Sequence, residues 1–213
     1  MTHSLHRSGS LESLKNDFVW FMYQASGIND KNIKDKALQF IAIAEKVNSE
    51  NWGDIKTGSK LNHDIEEITN KITDNSRFRG VFTKREQVVE FLKELKKRNL
   101  GLSVIISGLL DEVLIACKEA NVIPHTINYS LGVWGKKEIL PEEDVLAITT
   151  MCGHHMVASN IVKEKMEEVK SGRKSPEDAA YELAILCPCG IFNQVRAAEI
   201  LKDKQINNKD KLK

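Results

Sequence analysis

Between Arg79 and Tyr129, β-branched runs alternate with amphipathic stretches, and this alternation restricts the fold more than any other feature of the chain. Arg79-Gly-Val-Phe-Thr83 reads as a short strand. Thr83 then caps a helix over Lys84–Arg98, with Val88, Val89, Leu92 and Leu95 on its inner face. Leu102-Ser-Val-Ile-Ile106 is a second β-branched run, closed by Ser107-Gly108, and Leu109–Ala120 is again amphipathic. His125-Thr-Ile-Asn-Tyr129 is a candidate third strand, ahead of the Gly-bearing loop Leu131-Gly-Val-Trp-Gly135. Strand, helix, strand, helix, strand builds a small sheet covered by helices on one face or both.

The flanking regions read mainly as helix. Leu11, Leu14, Phe18, Phe21, Met22 and Ala25 fall at spacings of three and four, which predicts a helix over Leu11–Ala25 capped by Ser10. Thr2–Arg7 alternates loosely and reads as a short strand. Asp30–Val47 is amphipathic, Asn48–Ser59 has the composition of a loop, and Leu61–Ile72 is mildly helical. Beyond Pro141 four helical stretches follow: Val145–Met151, His155–Val169, the segment opened by Ser175-Pro-Glu-Asp178, and Asn193–Asp203. The expected class is therefore α/β (α+β), a small mixed sheet flanked by helices with a C-terminal helical cysteine-bearing module. We divide it into an α/β part at 1–135 and a helical part at 136–205, compatible with one continuous domain. A polar tail at 206–213 is expected to be disordered.

Composition removes several function classes. The 213 residues include 31 Lys+Arg against 30 Asp+Glu, a net charge of +1. A dedicated nucleic-acid binder needs a clear basic excess, so no nucleic-acid partner is expected. No apolar run approaches the roughly 20 residues of a membrane span, and Met1–Ser10 has no apolar core of a secretory leader. A cytoplasmic protein is expected. Its four cysteines are too few for a disulfide framework.

The chemistry-bearing motifs are Cys152-Gly-His-His155 and Cys187-Pro-Cys-Gly190. Both lie at breaks between helical stretches. The two intervening helices, packed as an antiparallel pair, return the chain to its starting side and bring Cys152 to the Cys-Pro-Cys turn. Three gathered thiolates repel one another, and a metal offsets that repulsion. A [4Fe–4S] cluster is normally held by four Cys, so three leave one iron for His154, His155, an outside ligand or substrate. The single-residue Cys187–Cys189 spacing favours ligands to different irons. Zn²⁺ held by three Cys and a His is the alternative, although structural zinc ligands usually stand two to four residues apart. The third reading has no metal: free Cys is often a small buried hydrophobe. His154 and His155 are adjacent, so only one of them faces a common centre; His154 is the expected ligand or proton donor.

The Cys-Pro-Cys element with three clustered Cys resembles iron–sulfur enzymes whose cluster is incompletely ligated. That likeness covers a few residues and specifies no family. It implies redox or Lewis-acid chemistry on a small molecule, possibly sulfur-containing, under anaerobic metabolism, with a substrate or an electron-transfer protein as partner. Cys117 is expected in the core, His63 is assigned no role, and His125 is expected at a strand end. His3 and His6 flank Ser4-Leu5 as proton donors or anion ligands, or as a solvated terminus. Asn51–Gly58 lacks the P-loop order and reads as a lid at most. No Rossmann, nucleophile-elbow or zincin motif is present.

Overall fold

The computed structural model describes residues 7–209, with side chains as far as Asp203. Its strands are β1 (Phe18–Tyr23), β2 (Asn51–Asp54), β3 (Gly58–Ser59), β4 (Arg79–Phe82) and β5 (Ser103–Ser107). They form one five-stranded sheet in the order β3-β2-β4-β1-β5. The helices are α1 (Leu11–Leu14), α2 (Ile33–Lys46), α3 (Ile65–Asn70), α4 (Arg85–Arg98) and α5 (Leu110–Glu119), then α6 (Glu143–Thr149), α7 (Ser159–Lys170), α8 (Pro176–Ala184) and α9 (Gln194–Lys209). The expected sheet flanked by helices with a C-terminal helical module is what the chain adopts, and each of its strand pairs is antiparallel. None of the helices among the described residues is long and apolar enough to cross a membrane.

The main departure from the sequence reading is at Leu11–Ala25. Only Leu11–Leu14 is helical, and Phe18–Tyr23 is β1, bonded to β4 on one side and β5 on the other. The cause is burial on both faces. Phe18, Trp20 and Met22 belong to one core cluster, and Val19 and Phe21 to the other. A strand covered on both faces reads as a continuous apolar run, and such a run also satisfies a helical template. Asn48–Ser59 likewise holds the β2–β3 hairpin inside the expected loop. His125–Tyr129 is not a strand. The Thr2–Arg7 expectation lies, apart from Arg7, outside the described residues.

One face of the sheet carries α2, α4 and α5. Trp20 sits at its centre, 5.5 Å from Phe40 and 5.4 Å from Phe91 between ring centroids. Gly80 pairs with Trp20 on one side and Trp52 on the other. A Cβ there would stand 2.6 Å from the Trp20 ring, so the indole lies where a side chain would otherwise be. Cys117 is buried against this cluster, as expected. On the opposite face Val19, Phe21 and Ile105 meet residues of α6, α7, α8 and α9. This second face is where the cysteines lie.

Candidate functional site

The local signals for the C-terminal helices are strong. Ser175 Oγ accepts from the Asp178 N–H at 3.0 Å with Pro176 at the first helical position, as the Ser-Pro-Glu-Asp run predicts. The α6 helix carries Glu143 and Asp144 in its first turn, where they oppose the positive end of the helix dipole. α6 ends at Thr149, and the chain turns through Cys152, whose carbonyl accepts from the His155 N–H at 3.2 Å. His155 takes φ +55° to close that turn. α7 and α8 pack on each other and lead back to a second turn at Cys187-Pro-Cys-Gly190. There the Gly190 N–H donates to Cys187 O at 3.3 Å.

The two turns meet. Cys152 is 1 % exposed, and Cys187 and Cys189 are both 0 % exposed. Cys187 Sγ lies 3.6 Å from Cys189 Sγ and within hydrogen-bonding reach of Cys152. Cys189 Sγ lies 3.6 Å from His154 Nδ1. The four side chains form a continuous chain of contacts, Cys152 to Cys187 to Cys189 to His154. Among the described residues, no group of three or more His, Cys, Asp or Glu is arranged as it stands to hold a metal ion.

The electrostatics of the three thiols differ. A hydrogen bond from Cys187, then backbone N–H groups of His154, Met156 and Val157, hold Cys152 well below the ordinary thiol range against the opposing effect of burial. Cys189 is also lowered, first by Cys187, then by the Ile191 N–H and by the charges of Arg79 and His154, again against burial. Cys187 lies between two sulfurs that favour the thiolate. Its own thiol is pushed up by Cys152 first, then Cys189, then burial. The surroundings thus favour the thiolate at either end of the sulfur row.

The turns are seated by a buried ionic cluster that the sequence reading missed. Arg7 Nη1 donates to both Asp17 carboxylate oxygens at 2.8 Å, and Arg196 Nη1 donates to Asp17 Oδ2 at 2.8 Å. Arg7 Nη2 donates to Met151 O at 3.2 Å and also to Ile191 O, so one guanidinium bridges the backbone beside Cys152 and the backbone beyond Cys189. Asn193 Oδ1 accepts from the Arg196 N–H at 3.0 Å, capping α9, while Asn193 Nδ2 donates to Asp17 Oδ1 at 3.1 Å. The Ser8 N–H donates to Thr150 Oγ1 at 2.9 Å. No local spacing marks these residues: Arg196 and Asp17 are 179 positions apart. The only available signal was that Asp17 directly precedes the apolar run of β1.

Gly190 docks the second turn on the sheet. Its φ is +77°, and a Cβ would stand 2.2 Å from the Trp52 carbonyl carbon and 2.3 Å from the Gly53 N. Only glycine allows this approach. Asn51 Nδ2 donates to Phe192 O at 3.4 Å and Gln194 Nε2 to Glu50 O at 3.0 Å, so β2 and its leading residue hold the chain on either side.

Of the expected site residues, Cys152, Cys187, Cys189 and His154 come together. His155 serves the site through its backbone turn. His125 is exposed beside Thr126, and His63 is exposed beside Glu67. His3 and His6 lie outside the described residues. Asn51–Gly58 forms the β2–β3 hairpin rather than a free lid. Leu131–Gly135 is exposed and forms no wall at the cysteines. No family model, curated protein or solved structure matches this chain.

Proposed function

We propose that the protein is a metal-binding protein in which Cys152, Cys187, Cys189 and His154 hold one thiophilic ion, with Zn²⁺ the best match to the donor set. The observation that carries this reading is the spacing of donor atoms. Around one tetrahedral ion with Zn–S near 2.3 Å and Zn–N near 2.0 Å, sulfurs stand about 3.8 Å apart and sulfur and nitrogen about 3.5 Å apart. Cys187 Sγ to Cys189 Sγ and Cys189 Sγ to His154 Nδ1 both measure 3.6 Å. Closing the row into a cage would require Cys152 and His154 to rotate about their side-chain bonds. The thiolate-favouring ends of the row and the backbone N–H groups aimed at Cys152 suit metal-bound sulfur, whose ligands are usually steadied by an outer layer of hydrogen bonds.

Burial supports a structural over a catalytic ion. A catalytic zinc keeps an open position, whereas a structural zinc is enclosed by four protein ligands. With three sulfurs at 0–1 % exposure, His154, half-buried, is the donor of these four nearest the solvent side. The ion then ties the turn after α6 to the turn after α8 and holds both on the sheet. The iron–sulfur reading draws support from the single-residue Cys187–Cys189 spacing, which suits ligands to two irons. A cluster places its ligand sulfurs farther apart than one ion does, so the 3.6 Å separation favours the single ion.

Metal analysis of protein purified without oxygen tests both readings. The single-ion reading expects a colourless protein with one zinc per chain. A brown protein holding iron and inorganic sulfide in equal amounts would replace it with the cluster. Full metal retention in a Cys187→Ser/Cys189→Ser double variant would remove the ligand assignment under either reading.

A further inference from the structure

We propose that Arg79 is a positioning residue for the metal centre, its guanidinium supplying a positive charge that balances the anionic group of ion and thiolates. The proposal rests on the single-ion reading above and adds a further residue to it. A divalent ion held by three thiolates and a neutral imidazole carries one net negative charge. Buried charge is costly unless an opposite charge stands beside it.

The sheet places Arg79 for this role. Arg79 on β4 is the Cα partner of Phe21 on β1 and of Gly53 on β2. Residues directly opposite one another in a ladder project from the same face. Phe21 belongs to the core cluster that contains Cys152, Cys187 and Cys189, so Arg79 rises on the cysteine side of the sheet. On its other flank Gly53 offers no side chain. Gly190 takes that space, since a Cβ on it would stand 2.3 Å from the Gly53 N. Cys189, the preceding residue of the turn, is thereby set down beside Arg79.

The guanidinium is held in position and has no acid of its own. It lies 5.9 Å from the centroid of the Phe21 ring, and its Nε and Nη2 donate to Arg77 O at 3.3 and 3.2 Å. Arg7 and Arg196 pair with Asp17, and Arg85 pairs with Glu112 and Glu119. Among the described residues no carboxylate pairs with Arg79. A half-buried cation without an acid, next to three buried sulfurs, finds its counter-charge in them. In keeping with this, the Cys189 thiol is lowered first by Cys187, then by the Ile191 N–H and then by the charges of Arg79 and His154. Arginine suits the position because its charge is permanent and weakly hydrated.

Cobalt(II) is the probe, loaded into the metal-free full chain and then displaced by Zn²⁺. Wild type should show sulfur-to-cobalt charge-transfer absorbance. Its absence would sink the single-ion reading and this proposal together. With the band present, affinity isolates Arg79. Arg79→Gln keeps a donor for Arg77 O but no charge, and it should bind both ions at least about 10-fold more weakly, inside the 10–100-fold range of outer-layer partners. Arg79→Lys keeps the charge without the planar fork and should recover most of that loss. Both variants should keep the wild-type far-ultraviolet spectrum when metal-free and the wild-type cobalt band at saturation, because no ligand is altered. Wild-type affinity in Arg79→Gln would overturn the proposal. So would an Arg79→Lys variant as weak as Arg79→Gln, which would make the role one of shape rather than charge. Loss of the metal-free fold in Arg79→Gln would overturn it as well, by making Arg79 a residue of the sheet alone.

Discussion

At the scale of single residues, two kinds of constraint meet at the cysteine turns. One is steric. Gly190 must keep φ +77° with Trp52 backbone at 2.2 Å from any Cβ. Gly190→Ala therefore sets backbone strain of about 1–3 kcal/mol against the docking of the turn. Urea unfolding should register at least that loss, and an unchanged midpoint would show that the turn is not held on β2. The other constraint is electrostatic. Among the described residues, Asp17 is the carboxylate that pairs with both the Arg7 and the Arg196 guanidiniums, and the Asp17 and Arg196 side chains are both 0% exposed. Burial lowers the Arg196 guanidinium while Asp17 beside it opposes the shift. Asp17→Asn leaves two buried cations facing a neutral amide, and a broken buried pair costs about 3–5 kcal/mol. Arg196→Met leaves the Arg7–Asp17 pair whole. It should cost clearly less, and equal losses in the two variants would deny Asp17 its bridging role.

Arg7 tests the link from this cluster to the sulfurs. Its guanidinium holds the carbonyls of Met151 and Ile191, on either side of the candidate ligands. Loss of an outer-layer partner typically lowers metal affinity by about 10–100-fold. Arg7→Ala should fall in that range in a chelator competition, with the metal stoichiometry at saturation unchanged. Wild-type affinity in Arg7→Ala would mean that the turns hold their shape without it.

At the scale of elements, β1 is the strand on which both cores depend. It runs between β4 and β5, with Trp20 on one face and Val19 and Phe21 on the other. Trp20 packs against Phe40, Phe82 and Phe91, and its Nε1 donates to Ser49 Oγ at 3.0 Å. Trp20→Ala removes all of this at once and should cost about 3–5 kcal/mol in thermal or urea unfolding. The same strand shows where sequence reasoning stops. Phe-Val-Trp-Phe-Met-Tyr fits a helical template as well as a buried strand, because periodicity disappears when both faces are covered. By contrast, α4 and α8 were legible because each has one wet face, and α8 a clear Ser-Pro start. The 125–133 segment is the opposite case: its alternation is clean, but no strand among the described residues pairs with it.

At the scale of the whole molecule, the sheet separates two cores, and the candidate ion sits in the second. If it ties both turns together, removing it should loosen the packing of α6, α7, α8 and α9 on the sheet before the Trp20 core yields. A chelator should then lower the melting temperature, added Zn²⁺ should restore it in proportion to free metal, and proteolysis of the chelated protein should begin between residues 150 and 190. A melting temperature indifferent to chelation would remove the structural role of the ion.

The amino-acid sequence alone determined the class of the fold, most helix positions and the cysteine and histidine residues to watch. Those properties follow from local periodicity, capping and residue chemistry, which act over a few neighbours. Tertiary structure alone decided that the run at Phe18–Tyr23 is a strand, that His154 rather than His155 reaches the sulfurs, and that Arg7, Asp17 and Arg196 clamp the turns. Each of these depends on contacts between segments far apart in the chain, and no short window of sequence carries the energy of such contacts.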